Sequence, residues 1–491
     1  MTYHFPFENS YARLPDRFFS RVDPTPVSAP HLIKINRGLA GQLGLDADWL
    51  GGPEGVQMLS GQSLPGSAQP IALAYAGHQF GNFVPQLGDG RAVLLGEVLD
   101  KDGRRFDIQL KGSGPTKFSR RGDGRAALGP VLREYVVSEA MAALGIRTTR
   151  ALAAVLTGDT VVRETLLPGA VLTRVASSHI RVGTFQFFAA REDTDGLRVL
   201  ADYVIDRHYP QARDAERPYR ALLDSVVAAQ AELIARWLLV GFIHGVMNTD
   251  NCSIAGETID FGPCAFMDTY DPAMVFSSID QAGRYAYANQ PRIGHWNVTR
   301  LAEAMLPLLA EGQDAAIADA QNALEAFAPR FEQVFQSGLR RKLGLFSEHE
   351  ADLALATSLL ALMSENLVDF TLFFRRLGEV ADGADDEQLR SLFVDPTACD
   401  RWLSGWRDRL AVEPGEAATR CDAMRRVNPA FIPRNHRIEA MIAAAVERQD
   451  FAPFEELIQV LSRPFEDQPE FAHYAEPPAV HERVLQTFCG T

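Results

Sequence analysis

Three patterns of apolar and polar positions follow one another along the chain. From about 71 to 190, short runs rich in β-branched residues are bounded by Gly, Asp or Pro. They predict strands over 91–100, 105–112, 150–158, 160–169 and 170–177. Between them, residues 129–146 place Val131, Leu132, Tyr135, Val136 and Ala140 at helical spacing, opened by Pro130 and closed by Gly145. Beyond about 195 the helical period takes over. It predicts one long apolar helix over 217–245, then helices at about 298–311, 314–338, 350–377, 387–394, 399–411, 416–425, 436–448 and 451–462. Residues 1–70 are mixed and rich in Pro and Gly, which predicts short helices and extended pieces wrapped on the main body. The expected fold is α+β: an extension over 1–70, a β-rich lobe over 71–190 and a helical lobe with a helical tail over 191–491.

The long helix leads into "FIHGVMNTDNCSIAGETIDFGPCAF", residues 242–266. "DFG" alone is as good a turn as a motif. It follows "HGVMNTDN", however, and in protein kinases the run H-R-D-x-x-x-x-N precedes DFG. There the first Asp is the base, and the Asn and the DFG Asp hold metal. Laid on that run, His244 meets the His and Asn251 the Asn, while Val246 falls on the base. Asn251 and Asp260 are therefore candidate metal ligands, hard oxygen donors of the kind Mg²⁺ takes beside phosphate. Asp260 is expected at the end of a short strand in "ETIDFG". Asp250 is the only carboxylate in "HGVMNTDN" and the nearest group that can act as base. A β-rich lobe, then a helical lobe carrying these motifs, is a protein-kinase-like, two-lobed order with a cleft between.

Upstream, Lys111 ends the strand "FDIQLK", where a Lys reaches phosphate as a point charge. The following helix offers Glu134 and Glu139 as its partner, Glu134 being nearer the strand's exit. "QLGDGR" supplies Gly88, Gly90 and Arg91. The glycines permit close backbone approach to phosphate, but the spacing departs from the kinase glycine loop and suits a hairpin turn equally. "KGSGPTKFSRRGDGR" gathers Lys111, Lys117, Arg120, Arg121 and Arg125 around Asp123 and Gly124. A polyanion explains such crowding of like charge, and a solvated loop is the plainer alternative. Arg174 and Arg181 suit bidentate contact with phosphate oxygens, and His179 between them is left unassigned.

Composition narrows the options. The 491 residues are 46% hydrophobic and carry a formal net charge of −15, which argues against a general nucleic-acid binder. No apolar run reaches membrane-span length, and the N-terminal stretch lacks a basic region followed by an apolar one, so a cytoplasmic protein with no membrane partner is expected. The five Cys (252, 264, 399, 421 and 489) form no CxxC pair, against a zinc site.

The runs "YAGHQFGNFVPQLGDGRAVLLGE", "DIQLKGSGPTKFSRRGDGRAALGPVLREYVVSEAM", "GFIHGVMNTDNCSIAGETIDFGPCAF" and "NPAFIPRNHRIEAMI" resemble the selenoprotein O family of kinase-like proteins, from about residue 71 onward. The resemblance implies a kinase-like fold in which ATP lies reversed. It implies transfer of AMP to Ser, Thr or Tyr hydroxyls of proteins with release of pyrophosphate, using Mg²⁺ or Mn²⁺. UMP transfer from UTP with Mn²⁺ lies within the family's range. Asp250 would be the base, and Asn251 and Asp260 the metal ligands. Lys111, paired with Glu134, would hold the polyphosphate with Arg174 and Arg181, and Gly88, Gly90, Arg91, Asp123 and Gly124 would line the rest of the nucleotide site. It further implies a redox-sensitive pairing of Cys264 with Cys489, although the ending "CGT" departs from the animal tail. An ordinary kinase and a nucleotide-binding pseudokinase scaffold are the competing readings.

Overall fold

A computed structural model of the protein describes residues 5–414 and 417–488. Its strands are β1 (Phe19–Arg21), β2 (His31–Ile35), β3 (Ile71–Leu73), β4 (Gly77–Gln79), β5 (Asn82–Val84), β6 (Ala92–Leu99), β7 (Arg105–Lys111), β8 (Ala126–Ala127), β9 (Arg150–Val162), β10 (Leu166–Ala176), β11 (Phe242–Ile243) and β12 (Ala265–Phe266). The main sheet is antiparallel and runs β1-β3-β6-β7-β10-β9-β2, with β8 pairing β10 to one side. The 1–70 segment thus supplies both edge strands.

Alternation along β7 explains why the sheet is buried on both faces. Ile108 and Leu110 join Val93, Leu95, Val171 and Val175 in a core closed by Phe5, Leu39, Leu50 and Leu59 of the N-terminal segment. Asp107, Gln109 and Lys111 point the other way, as the period of two requires. Cross-strand pairing sets Gln109 opposite Arg174, and Lys111 opposite Leu172 of β10 and Ala92 of β6. Register therefore gathers Lys111, Gln109 and Arg174 on one polar face. The Leu128–Ala143 helix packs on that side.

Several expected elements differ. The runs 160–169 and 170–177 are not separate strands: the turn of the β9–β10 hairpin falls inside "TVVRETLLPG", so β9 extends to Val162 and β10 starts at Leu166. The long helix is Pro218–Leu239. Gly241, at φ 73°, turns the chain into β11, which pairs β12. The 257–260 run is not a strand; Thr258 makes one isolated bridge to Thr148. The 314–338 helix is two, Gln313–Leu324 and Phe327–Lys342, and the 350–377 helix is also two, Asp352–Glu365 and Phe370–Ala381. Leu367, at φ 55°, breaks the second pair, and the Asp369 carboxylate caps the new start by accepting from the Leu372 amide. The helices Val182–Ala189 and Thr194–His208 were not expected. No helix of the described residues is long and apolar enough to cross a membrane.

Candidate active site

The sheet's polar face and the 246–263 segment enclose a cavity of about 580 Å³. It is lined by Gly88, Gly90, Arg91, Lys111, Asp123, Gly124, Arg174, Arg181, Asp250, Asn251 and Asp260. Glu134 stands behind Lys111: its carboxylate accepts from Lys111 Nζ at 2.5 Å and from Arg174 Nη1 at 3.3 Å. Glu139, the other candidate, is turned away and held by Arg150 and Asn36. Cys489 lies outside the described residues.

Asp260 is the hub. Its Oδ1 accepts from Arg174 Nη1 at 2.7 Å and Lys111 Nζ at 3.3 Å, and its Oδ2 from Arg181 Nη1 at 2.6 Å. Burial pushes its carboxyl up, but Arg174, Arg181 and Lys111 outweigh that and hold it well below the usual carboxylate range. Burial likewise pulls the Lys111 ammonium down, with Glu134 opposing. Asp260 adopts φ 64°, a left-handed conformation uncommon for a residue with a Cβ and of the kind that clusters at functional sites.

Asp250 is placed differently. Its Oδ2 accepts from Gln79 Nε2 at 3.1 Å, and its Oδ1 is buried with no hydrogen-bond partner. Burial pushes its carboxyl up to about 6, against the Gln79 hydrogen bond and the Arg181 charge. The other carboxylates lining the cavity are engaged. Asp123 is gripped by Arg163 at 2.8 and 3.2 Å, and Asp89 accepts from the Leu73 amide and from Gln109. Val246, at the kinase base position, is buried and apolar.

Backbone contacts explain the precision of the loop. Val182 donates its amide to the Cys252 carbonyl and Ile254 to the Ile180 carbonyl, stitching Arg181 beside the 250–252 turn. His244 is buried and kept neutral by desolvation; its Nε2 lies 2.9 Å from the Ile259 carbonyl, which ties the loop to the residue before Asp260. The glycine loop closes on the 115–124 segment: Thr116 Oγ1 donates to the Asp89 carbonyl at 2.6 Å, and Ser119 Oγ donates to the Gly90 carbonyl. A Cβ at Gly88 would sit 2.3 Å from the Phe118 ring, and one at Gly124 (φ 65°) would sit 2.1 Å from the Gly114 backbone. Of the basic loop, Arg120 and Arg125 line the cavity and Lys117 and Arg121 do not.

A metal between phosphates would be held by Asn251 and Asp260, and the donors fit one. The lining contains no His or Cys, and its side-chain acceptors are carboxylate, amide and hydroxyl oxygens, which suits Mg²⁺ or Mn²⁺. Asn251 spends its Nδ2–H on the Val246 carbonyl at 3.0 Å, which fixes the amide and orients its oxygen. No group of three His, Cys, Asp or Glu side chains gathers among the described residues, so phosphate oxygens and water would complete the shell.

Sequence reading missed Asp89, Gln109, Gln79 and Arg163. Gln109 bridges the site, accepting from Arg174 Nε at 3.1 Å and donating to Asp89 at 3.1 Å, while Arg181 lies 3.8 Å from Asp89. The available signal was alternation: "DIQLK" puts Gln109 on the face of Lys111. Cys264 is buried two residues past Gly262, its Sγ 3.5 Å from the Phe261 carbonyl.

Cations and hard oxygens around one cavity suit an enzyme that handles a polyphosphate. The family model described as protein adenylyltransferase SelO matches residues 2–462. The chain is 67% identical, over all of both chains, to protein nucleotidyltransferase YdiU of Rhodopseudomonas palustris (strain BisB18) and to that of Bradyrhizobium diazoefficiens. It is 68% identical, again over all of both chains, to that of a Methylorubrum extorquens strain. The chain belongs to the SelO family and is a nucleotidyltransferase, an enzyme of the transferase class.

Proposed function

We propose that the protein transfers AMP from ATP to Ser, Thr or Tyr hydroxyls of other proteins, releasing pyrophosphate, in a kinase-like cleft where the nucleotide lies reversed. The observation that carries this reading is the division of labour among the carboxylates. Glu134 and Asp260 are neutralised by Lys111, Arg174 and Arg181, whereas Asp250, lining the same cavity, forms no ion pair among the described residues and keeps one buried oxygen without a partner. Asp250 takes the proton of the attacking hydroxyl. Lys111, Arg174 and Arg181 bind the phosphates and oppose the charge that grows on the leaving pyrophosphate. Gly88, Gly90, Arg91, Asp123 and Gly124 close over the rest of the nucleotide, with Asp123 steadied by Arg163. A divalent ion held by Asn251 and Asp260 supplies charge neutralisation when bound. The family name of the relatives, protein nucleotidyltransferase, supports the same reaction class. The protein is read as cytoplasmic.

ATP labelled at the α or the γ position tests this, in Mg²⁺ and in Mn²⁺, with UTP alongside. Label reaching protein from the α position supports AMP transfer. Label from the γ position indicates a kinase, and binding without transfer a scaffold.

Redox control belongs to the same reading. Thr487 donates its hydroxyl to the Pro263 carbonyl at 2.6 Å and its amide to the Phe276 carbonyl at 2.7 Å, which brings the tail close to Cys264. A Cys264–Cys489 disulfide would tie the tail to the residue after Pro263, which lines the cavity, and a dithiol reductant would release it by thiol exchange. Equal activity with and without reductant would remove this proposal.

A further inference from the structure

The β4–β5 hairpin belongs to the sheet side of the cavity, yet its contacts are with the loop that carries Asp250. His78 donates its amide to Thr249 Oγ1 at 2.7 Å, and Phe80 donates its amide to Asn248 Oδ1 at 3.0 Å. Tyr285 donates its hydroxyl to the same Asn248 oxygen at 2.6 Å, and Thr249 donates its own to Gln186 Oε1 at 2.6 Å. The backbone of the base's loop is thus fixed by the hairpin from one side and by the helical part from the other. Along β4 the side chains alternate. His78 turns away, its ring 5.2 Å from that of Trp296. Gly77 and Gln79 turn toward Asp250.

These two residues act on the two oxygens of one carboxylate. Gln79 Nε2 donates to Oδ2 at 3.1 Å. Gly77 faces Oδ1: a Cβ there would stand 2.8 Å from Oδ1 and 3.0 Å from the Asp250 Cβ. A third close approach completes the cradle, since a Cβ at Gly183 would stand 2.2 Å from the Ala76 carbonyl oxygen and 3.5 Å from the Asp250 Cα. Oδ1 is left as the oxygen without a partner. The hairpin turn is itself committed, with Phe80 at φ 51° and Gly81 at φ 86°.

We infer that Gln79 is the positioning residue of the reaction: by holding Oδ2, while Oδ1 packs against Gly77, it fixes the Asp250 carboxylate that takes the proton of the incoming hydroxyl. This rests on the AMP-transfer reading above. In the step it serves, the hydroxyl oxygen bonds to the α-phosphorus as its proton passes to the Asp250 carboxylate. The bond from the α-phosphorus to the bridging oxygen breaks, and its electron pair leaves with pyrophosphate. Gln79 touches neither proton nor phosphorus. It sets the rotamer of the group that does, and an error of about 1 Å in such a group costs on the order of 100-fold in rate.

The test uses the full chain reduced with dithiothreitol, α-labelled ATP with Mg²⁺, and β-casein plus the chain's own hydroxyls as acceptors. ATP affinity is measured separately by calorimetry, and folding by thermal melting. Gln79→Leu is expected to lower kcat roughly 10- to 100-fold, with KM and Kd for ATP within about two-fold of the parent. Gly77→Ala, which keeps the amide but pushes on Oδ1, is expected to give the same split, and it decides the matter if Gln79→Leu does not fold. Unchanged kcat, or kcat and ATP affinity lost together, would overturn the inference. Asp250→Asn, run in parallel, separates it from the reading beneath it. An inactive Asp250→Asn beside a fully active Gln79→Leu removes only the positioning role. An active Asp250→Asn, or no label in the parent, counts against Asp250 as base or against AMP transfer itself.

Discussion

Asp260 and Glu134 share Lys111 and Arg174, with Arg181 meeting Asp260 alone, and they separate by what each loss would leave behind. Removing Glu134 strips Lys111 of its closest partner, 2.5 Å away, in a buried setting. A hydrogen bond to a charged group contributes about 1.5–3 kcal/mol. Glu134→Gln is therefore expected to weaken ATP binding roughly 10-fold or more, each factor of ten being about 1.4 kcal/mol. Titration calorimetry with ATP and Mg²⁺ checks this, and unchanged affinity would separate Lys111 from phosphate. Asp260→Ala removes a proposed metal ligand together with the anion on which Lys111, Arg174 and Arg181 converge. It should lower kcat at least ~100-fold, the scale seen when a group stabilising developing charge is lost. A variant keeping a tenth of the parent rate would contradict the hub role.

At the scale of elements, the 115–124 segment and the helical lobe make separate claims. Gly124 combines φ 65° with a Cβ position 2.1 Å from the Gly114 backbone, so neither the torsion nor the space admits a side chain. Gly124→Ala should move the loop off Asp89 and Gly90, at about 1–3 kcal/mol of strain. The readout is a raised KM for ATP with kcat nearly kept. In the Phe327–Lys342 helix, Lys342 is buried with its ammonium 4.2 Å from the Phe374 ring centre and 5.3 Å from that of Phe370. No ion pair to it occurs among the described residues, and burial pulls its pKa down to about 7. Its folded value lies below the unfolded value of about 10.4, so the fold favours the neutral form. The destabilisation is fully present below about pH 7 and fades as pH rises toward 10.4. Lys342→Met should raise Tm by ~2–4 °C at pH 7, and by less at pH 9.5. An equal gain at both pH values would contradict the assignment.

What was legible at this scale followed local signals. Lys111 at a strand end, the Pro130-opened helix with Glu134, and the 244–260 run with its glycines and turn residues all announce themselves within a few positions. Gln109, Asp89 and Gln79 do not. A Gln in a strand reads as neutral until register sets it opposite Arg174, and "GHQ" becomes meaningful only once β4 docks on residues 248–250. The helix break at Leu367 was hidden by an unbroken apolar period, and the β11 turn by the apolar run after Leu239. In both places tertiary pairing overrode the local pattern.

In the whole molecule, the N-terminal segment, the sheet and the helical part form one arrangement around the cavity. The segment closes the sheet's outer face over Ile108, Leu110, Val171 and Val175, and Arg125 donates to the Thr25 and Pro26 carbonyls, which binds that segment to the 115–125 loop as well. On the opposite face, the same strands carry Lys111, Gln109 and Arg174 toward Asp260. In this account Lys111, Arg174 and Arg181 serve a leaving pyrophosphate while Asp250, not a group at Val246, takes the proton. The most direct measurement is the fate of label from ATP marked at the α or the γ position, with parent and Asp250→Asn proteins reduced and supplied with Mg²⁺ or Mn²⁺. Protein label from the α position only, lost in Asp250→Asn, is the predicted result. Label arriving from the γ position, or α label undiminished in Asp250→Asn, would contradict it.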